Sequence, residues 1–280
     1  MAYFDLIDDE EKAYWLGFIY ADGNVGKNGK TVQVNLSQRD SDHLEKLAKI
    51  FKVNVCNYSY TDKRNGRKRR GSIIYTMNGD LWNSLIKCGV IPQKTYVGDV
   101  SVMVNSIPKN LIRHFVRGFL DGDGWFTETI TKSGKRVGMV GFCGTEEMMK
   151  AIRSLVCDTL GLSHVKIDKK EGCYTLRWSG SEQVNAMSKW LYSDSTLYLQ
   201  RKKEKADIAS VIKKVRGVSG YRGVVWYKNA KKWSAYISHE KKRLNLGYFE
   251  DVVDAAKAFD RKLIELGKPR YRLNFPQDSY

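Results

Sequence analysis

One ten-residue pattern occurs twice in this chain, with four of its residues identical. Tyr14-Trp-Leu-Gly-Phe-Ile-Tyr-Ala-Asp-Gly23 aligns without gaps on Phe115-Val-Arg-Gly-Phe-Leu-Asp-Gly-Asp-Gly124, every residue standing 101 positions from its partner. Identical pairs are Gly17 with Gly118, Phe18 with Phe119, Asp22 with Asp123 and Gly23 with Gly124. A constant offset predicts a duplicated unit of about a hundred residues, here repeats over about residues 1–105 and 106–205. The segments downstream of the two copies agree with this. After Gly23 comes the alternating Val32-Gln-Val-Asn-Leu36, then a helical pattern over residues 40–51 with Leu44, Leu47, Ala48 and Phe51 on one face. After Gly124 comes Val137-Gly-Met-Val-Gly-Phe142, then a helical pattern over residues 146–160 carrying Met149, Ile152, Val156 and Leu160. Each half then adds a hairpin, Tyr58-Ser-Tyr60 with Ile73-Ile-Tyr75 and His164-Val-Lys-Ile167 with Tyr174-Thr-Leu-Arg-Trp178. Residues 1–205 are thus expected to form one pseudo-twofold α+β domain.

Residues 206–219 read as a basic connector, and residues 220–280 resemble neither repeat. They hold three strand patterns near 223–227, 233–239 and 243–249 and a helix over 252–266, stopped by Gly267 and Pro269. A small three-stranded antiparallel sheet packed on one helix is the expected second domain.

The repeated segments read as helices that each end in an acid followed by glycine. Asp8 or Asp9 is placed to cap the first, and Pro108 falls where a first-turn proline is tolerated in the second. A glycine in a helix interior costs up to about 1 kcal/mol against alanine, so Gly17 and Gly118 make sense if the two helices meet there backbone to backbone. Asp22 and Asp123 then emerge side by side at the negative ends of two helix dipoles, an arrangement that disfavours stability unless a cation binds between them.

Forty-eight Lys and Arg against 31 Asp and Glu give a formal charge of +17 on a chain that is 42% hydrophobic, which points to a polyanionic partner. No apolar run approaches the ~18 residues of a membrane span, so a soluble, intracellular protein without a membrane partner is expected. The five cysteines are scattered singly, without metal-site spacing, and read as reduced, mostly buried thiols. Six basic residues crowd the segment Thr61–Gly71, among them Arg64, Arg67, Lys68, Arg69 and Arg70, and a smaller basic turn holds Lys135 and Arg136. Loop cations of this kind clamp phosphates, whereas alternating strand residues such as Gln33, Asn35 and Arg177 are placed for base contacts.

The two repeated segments resemble the signature of the LAGLIDADG homing endonucleases at its glycine, apolar and final Asp-Gly positions. Tyr20 stands where the first copy would carry the signature's other acid, and Trp15, Leu16 and Arg117 are atypical. Two signatures in one chain look like the family's monomeric form, with saddle-shaped antiparallel sheets. The resemblance implies a sequence-specific enzyme that breaks both strands of double-stranded DNA by hydrolysis, with Mg²⁺ or Mn²⁺ held by Asp22 and Asp123 and the preceding carbonyls of Ala21 and Gly122. It treats Asp121 as structural and places basic residues near the scissile phosphates, matched here by Lys94 and by Lys202, with Lys203 an alternative to Lys202. Either lysine also reads as an ordinary solvated surface residue. Gln38 resembles a polar residue of the first half-site, beside Arg39 as a further DNA contact, and Gly144 stands in its place in the second. A non-cleaving binder on the same scaffold, such as a maturase acting on intron RNA or a DNA-binding regulator, is the alternative. The tail resembles the Apetala/ethylene-response-factor DNA-binding domain at Tyr221-Arg-Gly-Val224, Trp233-Ser-Ala-Tyr-Ile237, Leu246-Gly-Tyr-Phe249 and Leu273-Asn-Phe-Pro276. That likeness implies DNA contacts from Arg222, Trp226, Trp233, Tyr236 and Arg243, although Trp233 also reads as a core residue.

Overall fold

A computed structural model describes residues 2–63, 65–92, 100–130, 136–210, 218–240, 242–268 and 270–275. The first repeat runs α1 (Glu10–Asp22), β1 (Gly23–Val25), β2 (Thr31–Ser37), α2 (Ser41–Phe51), β3 (Cys56–Thr61), β4 (Lys68–Met77), α3 (Gly79–Lys87) and a short α4 (Val100–Asn105). The second runs α5 (Ile112–Asp123), β5 (Gly124–Ile130), β6 (Arg136–Gly144), α6 (Glu146–Leu160), β7 (Ile167–Lys170), β8 (Cys173–Ser179), α7 (Ser181–Tyr192) and α8 (Gln200–Ser210). Each half builds a four-stranded antiparallel sheet, ordered β1-β2-β4-β3 and β5-β6-β8-β7. The duplication extends to register: Gly23, Val34 and Ile74 lie across one sheet as Gly124, Phe142 and Leu176 lie across the other. The fold is α+β, as the alternation of periods implies.

Asp9 is the residue that caps α1, its carboxylate accepting the Lys12 N–H at 2.8 Å, with Glu10 and Glu11 favourably placed in the first turn. Pro108 differs from expectation. It lies in the turn before α5, where its carbonyl accepts the Leu111 N–H at 2.8 Å, and α5 starts only at Ile112. Ala13 through Tyr20 are all buried, so α1 is covered around its whole circumference. The sheets cover the helices with their alternating apolar faces: Val32, Val34, Leu36 and Ile74 in the first half, Phe126, Val140, Phe142, Leu176 and Trp178 in the second. Helix α8 continues beyond residue 205, and Ala206 and Ala209 are buried in this same core. Gly138 leaves the space for it, since a methyl there would strike the Ala209 carbonyl oxygen.

The tail consists of β9 (Val224–Tyr227), β10 (Lys232–His239), β11 (Lys242–Phe249) and α9 (Val252–Glu265), with strand order β11-β10-β9. Its core lies between sheet and helix, built from Val224, Ala235, Ala255 and Ala256 and from Ile237, Phe259, Leu263 and Leu273. Asp251 caps α9 by accepting the Val253 and Asp254 N–H groups at 2.6 and 3.1 Å. Buried Asp260 accepts the backbone N–H of Asn274 and Phe275, each at 2.8 Å, and pins the following segment to the helix. All five cysteines are free thiols, but only Cys88 and Cys157 are buried; Cys143 and Cys173 are half-buried and Cys56 is exposed. Among the described residues no helix is long and apolar enough to cross a membrane.

Candidate functional site

The site is set by how closely α1 and α5 cross. A methyl group on Gly17 would strike the Phe115 carbonyl oxygen, and one on Gly118 would strike the Tyr14 carbonyl oxygen. The two backbones therefore touch at the aligned glycines. One turn later a methyl on Gly122 would strike the Ala21 side chain and lie 3.3 Å from Asp22 Oδ2, so the Asp22 carboxylate rests against the end of the other helix. Both helices stop at the next glycine, whose N–H closes the last turn on Ile19 O in α1 and on Leu120 O in α5. The chain then turns directly into β1 and β5, and Asp22 is half-buried while Asp123 is exposed. This juxtaposition brings Asp22, Asp123, Ala21 and Gly122 to one place.

Lys202 completes it from α8. Its side chain is almost wholly buried, and Nζ donates to the carbonyl oxygens of Leu120, at 3.4 Å, and Gly124, which flank the end of α5. Burial pulls the ammonium down to about 8, helped by Arg201, against Asp121, Asp22 and Asp123, which favour the charged form. Lys203 instead pairs with Asp207 at 2.6 Å across one helical turn. Arg201, beside Lys202, reaches into the first half to Asp40, at 2.9 and 3.0 Å, so α8 is tied to both repeats. Lys94 lies outside the described residues.

Behind the acids lies a buried polar layer that sequence reasoning did not assemble. Asp121, fully buried, accepts the Tyr14 hydroxyl at 2.8 Å, the Tyr192 hydroxyl at 2.9 Å and the Leu199 N–H at 2.7 Å. The Tyr14 oxygen also meets His43 Nε2 at 2.8 Å. With the hydroxyl proton committed to Asp121, His43 donates through Nε2–H, and Nδ1 has no partner among the described residues. Arg117, also fully buried, donates to Glu10 at 2.7 Å and to the Leu191 and Leu197 carbonyls at 2.9 Å, joining α5 to the start of α1. Burial holds His43 down at about 3 and His114 at about 4, both below the ordinary 6.5. Each must take up a proton on unfolding below pH 6.5, so the stability they contribute at neutral pH is lost as pH falls towards those values. Asp121, raised by burial from 3.8 to about 6, acts in the opposite sense, its contribution being lost as pH rises through 6. At pH 5 two histidines oppose one carboxylate, and the urea midpoint is expected to be lower than at pH 7. In His43→Phe, where an apolar ring meets Trp15 and Phe18, that difference should largely vanish; an unchanged difference would remove His43 as its source.

The outer face of each sheet continues from these acids. In the first half the register places Gln33, Asn35 and Ser37 beside Tyr75, Ile73 and Gly71, with Cys56 opposite Ile73, Tyr58 opposite Gly71 and Tyr60 opposite Arg69. Tyr58 covers Gly71 and donates to Asn35 Oδ1 at 3.3 Å, while Tyr60 stacks on it at 5.8 Å. A groove of about 470 Å³ is lined here by Asn35, Ser37, Tyr58, Tyr60, Lys68, Arg69 and Arg70. Arg69 is held by Asp62 at 2.9 Å, Lys68 and Arg70 alternate to the other side of β4, Arg67 precedes that strand, and exposed Arg39 and half-buried Gln38 lie in a short 3-10 helix after β2. In the second half Trp125 covers Gly141, which lies opposite Arg177, itself 3.5 Å from Asp168. Arg136 is exposed and paired with Glu128. Arg64 and Lys135 lie outside the described residues. Tyr58, Tyr60 and Trp125 were missed as surface residues; an aromatic at every second position of a polar strand face was the available signal.

The tail residues expected to act together do not share a face. Trp226 lies opposite Trp233, in phase with core residues Val224 and Ala235, and the two pack edge to face at 5.0 Å; Trp233 packs on the helix-side core, while Trp226 remains exposed. Tyr236 and Arg243 occupy the outer face, the guanidinium 3.5 Å from the ring centre, together with Val225, Tyr227 and Tyr248. Arg222 precedes the sheet and is paired with Glu182 of α7.

No protein-family model matches the chain, and no curated protein matches it in sequence. Among solved structures it is similar to the homing endonuclease I-WcaI bound to its DNA recognition sequence, with a TM-score of 0.53 and 10% identity over 71% of this chain and 87% of that one. It also aligns with the LAGLIDADG meganuclease I-AabMI bound to uncleaved DNA, at a TM-score of 0.46 and 16% identity over 73% of this chain and 90% of that one. Full-length DUF199/WhiA from Thermatoga maritima gives a TM-score of 0.47 and 17% identity over 76% of this chain, which spans 65% of that protein's length. The likeness to I-WcaI is one of fold.

Proposed function

We propose that this chain is a monomeric, sequence-specific DNA endonuclease that breaks both strands of a duplex by metal-dependent phosphodiester hydrolysis. The observation that carries this reading is the pair of aligned carboxylates, Asp22 and Asp123, brought to one place by two helices whose backbones touch. Such a placement costs stability through dipole and like-charge repulsion and is repaid when a divalent cation binds. The donors present are all oxygens, two carboxylates and the carbonyls of Ala21 and Gly122, which suits Mg²⁺ or Mn²⁺. When bound, the cation activates water and neutralises charge on the phosphate. Lys202 adds a positive charge held in place by two carbonyls, and Lys94 is the matching residue in sequence for the first half.

The two outer sheet faces supply the DNA surface. Gln33, Asn35 and Arg177 face the groove as base readers, with Tyr58, Tyr60 and Trp125 beside them, while Arg67 and Arg136 clamp phosphates. Residues 220–280 act as a second, Apetala/ethylene-response-factor-like binding module, tethered at high effective concentration, with Tyr236 and Arg243 on its DNA-facing side. To test the reading, the protein is incubated with a randomised duplex library in Mg²⁺, Mn²⁺ or EDTA and the new ends are sequenced. Cuts at one recurrent sequence, with short 3′ overhangs and only with metal, are expected. Blunt ends or cutting in EDTA would contradict the chemistry, and a library bound but never cut would mark a non-cleaving binder.

A further inference from the structure

We propose that Asp121 is the positioning residue for Lys202, and that it serves only one of the two half-sites. The inference rests on the endonuclease reading above and concerns how its second half is assembled. Lys202 lies on α8, a helix remote in sequence from α5, yet its ammonium must stay beside the end of α5 to act on a phosphate there. A closed circuit of hydrogen bonds holds it. Asp121 Oδ2 accepts the Leu199 N–H at 2.7 Å, the Leu199 carbonyl accepts the Lys202 N–H at 2.8 Å, and Lys202 Nζ returns to the Gly124 carbonyl three residues beyond Asp121. The carboxylate is itself fixed, since the Tyr14 and Tyr192 hydroxyls donate to its two oxygens from α1 and α7. Being fully buried, Asp121 touches neither solvent nor DNA, so its effect on the reaction must pass through what it holds. The aligned position in the first repeat is Tyr20, which packs on Phe119 and offers no carboxylate. The carboxylate that makes this tether therefore has no counterpart at the aligned position of the first repeat.

The consequence is strand-selective. Asp121→Leu keeps the size of the side chain but cannot accept the Leu199 N–H, and it should slow cutting of one strand about 100-fold while leaving DNA affinity and the other strand's rate near native. The strand affected should be the one slowed by Lys202→Met, and the double variant should be no slower than Lys202→Met alone. Asp121→Asn can still accept from Leu199 and donate to a tyrosine oxygen, and it should restore the rate to within about threefold of native. Single-turnover cleavage of a duplex labelled on each strand reads these rates, and amide hydrogen exchange at Leu199 and Lys202 reads the tether without activity: faster in the Leu variant, native in Asn. If Asp121→Leu does not fold, Tyr192→Phe, which removes one bond to the carboxylate, should give a smaller loss on the same strand. Equal slowing of both strands, no slowing of either, or an Asn variant as slow as Leu would overturn the inference while the endonuclease reading stands. A wild-type protein that cuts no duplex would fail that reading itself, and the inference with it.

Discussion

Replacing Asp22 or Asp123 by asparagine is expected to abolish double-strand cleavage, with a loss on the order of 10³-fold or more, because each change removes one of the anionic ligands proposed for a metal centre that has few. DNA affinity and melting temperature should change little. Neither side chain lies in the core, Asp22 being half-buried and Asp123 exposed, and the residues proposed to touch DNA stand on the sheet faces beyond them. Gel-shift binding at fixed salt, beside single-turnover cleavage of the selected site, separates the two effects. A variant that loses binding in step with cutting would assign these acids to DNA recognition or folding, and one that cuts at full rate would remove them from the chemistry.

The largest stability effect is expected at the helix crossing, where two physical tendencies oppose each other. By helix propensity alone, Gly118→Ala should stabilise α5 by up to about 1 kcal/mol. The added methyl, however, would meet the Tyr14 carbonyl oxygen and approach the Phe18 nitrogen at 2.9 Å, both backbone atoms of a helix buried on every side. Backbone cannot swing aside as a side chain can, so α1 and α5 must separate, and overpacking of this kind costs about 1–3 kcal/mol or more. Gly118→Ala should therefore destabilise by about 3 kcal/mol, and Gly118→Val should leave too little stability to hold the fold. Gly144→Ala serves as the control: its methyl would meet side chains and not backbone, Met149 and Phe119 at 3.2 and 3.3 Å and Met148 at 3.9 Å, and should cost about 1 kcal/mol or less. Urea midpoints of the three variants test the ranking. A stabilised Gly118→Ala would mean that the helices do not cross as closely as described.

The duplication was legible in the sequence because it is a local signal repeated at one offset, and the paired acids came with it. The sheets were legible too, since a face packed on helices shows as alternation, as in Val32, Val34 and Leu36. What was not legible is whatever depends on phase or on contacts far apart in sequence. Trp226 and Trp233 both fall on strands, but which face a residue takes depends on where pairing begins, and β9 pairs with β10 so that Trp226 lies opposite Trp233. Trp233 consequently lies on the helix side, with Trp226 in phase beside it but exposed. The circuit around Asp121 joins residues from α1, α5 and α7 with the start of α8, and the Arg117–Glu10 pair spans 107 positions. Neither leaves a pattern in the chain. Arg117 read only as a departure from a signature, whereas its burial and its bonds show why the position takes a cation.

Asp22 and Asp123 are proposed to form together a centre that binds a divalent cation against DNA. The direct measurement is anomalous scattering from Mn²⁺ in a crystal of the protein with a duplex recovered from the cleavage library. The account predicts density within about 2.5 Å of oxygens from both carboxylates and a backbone phosphate. Manganese bound elsewhere on an ordered complex, with both acids turned away from it, would contradict it.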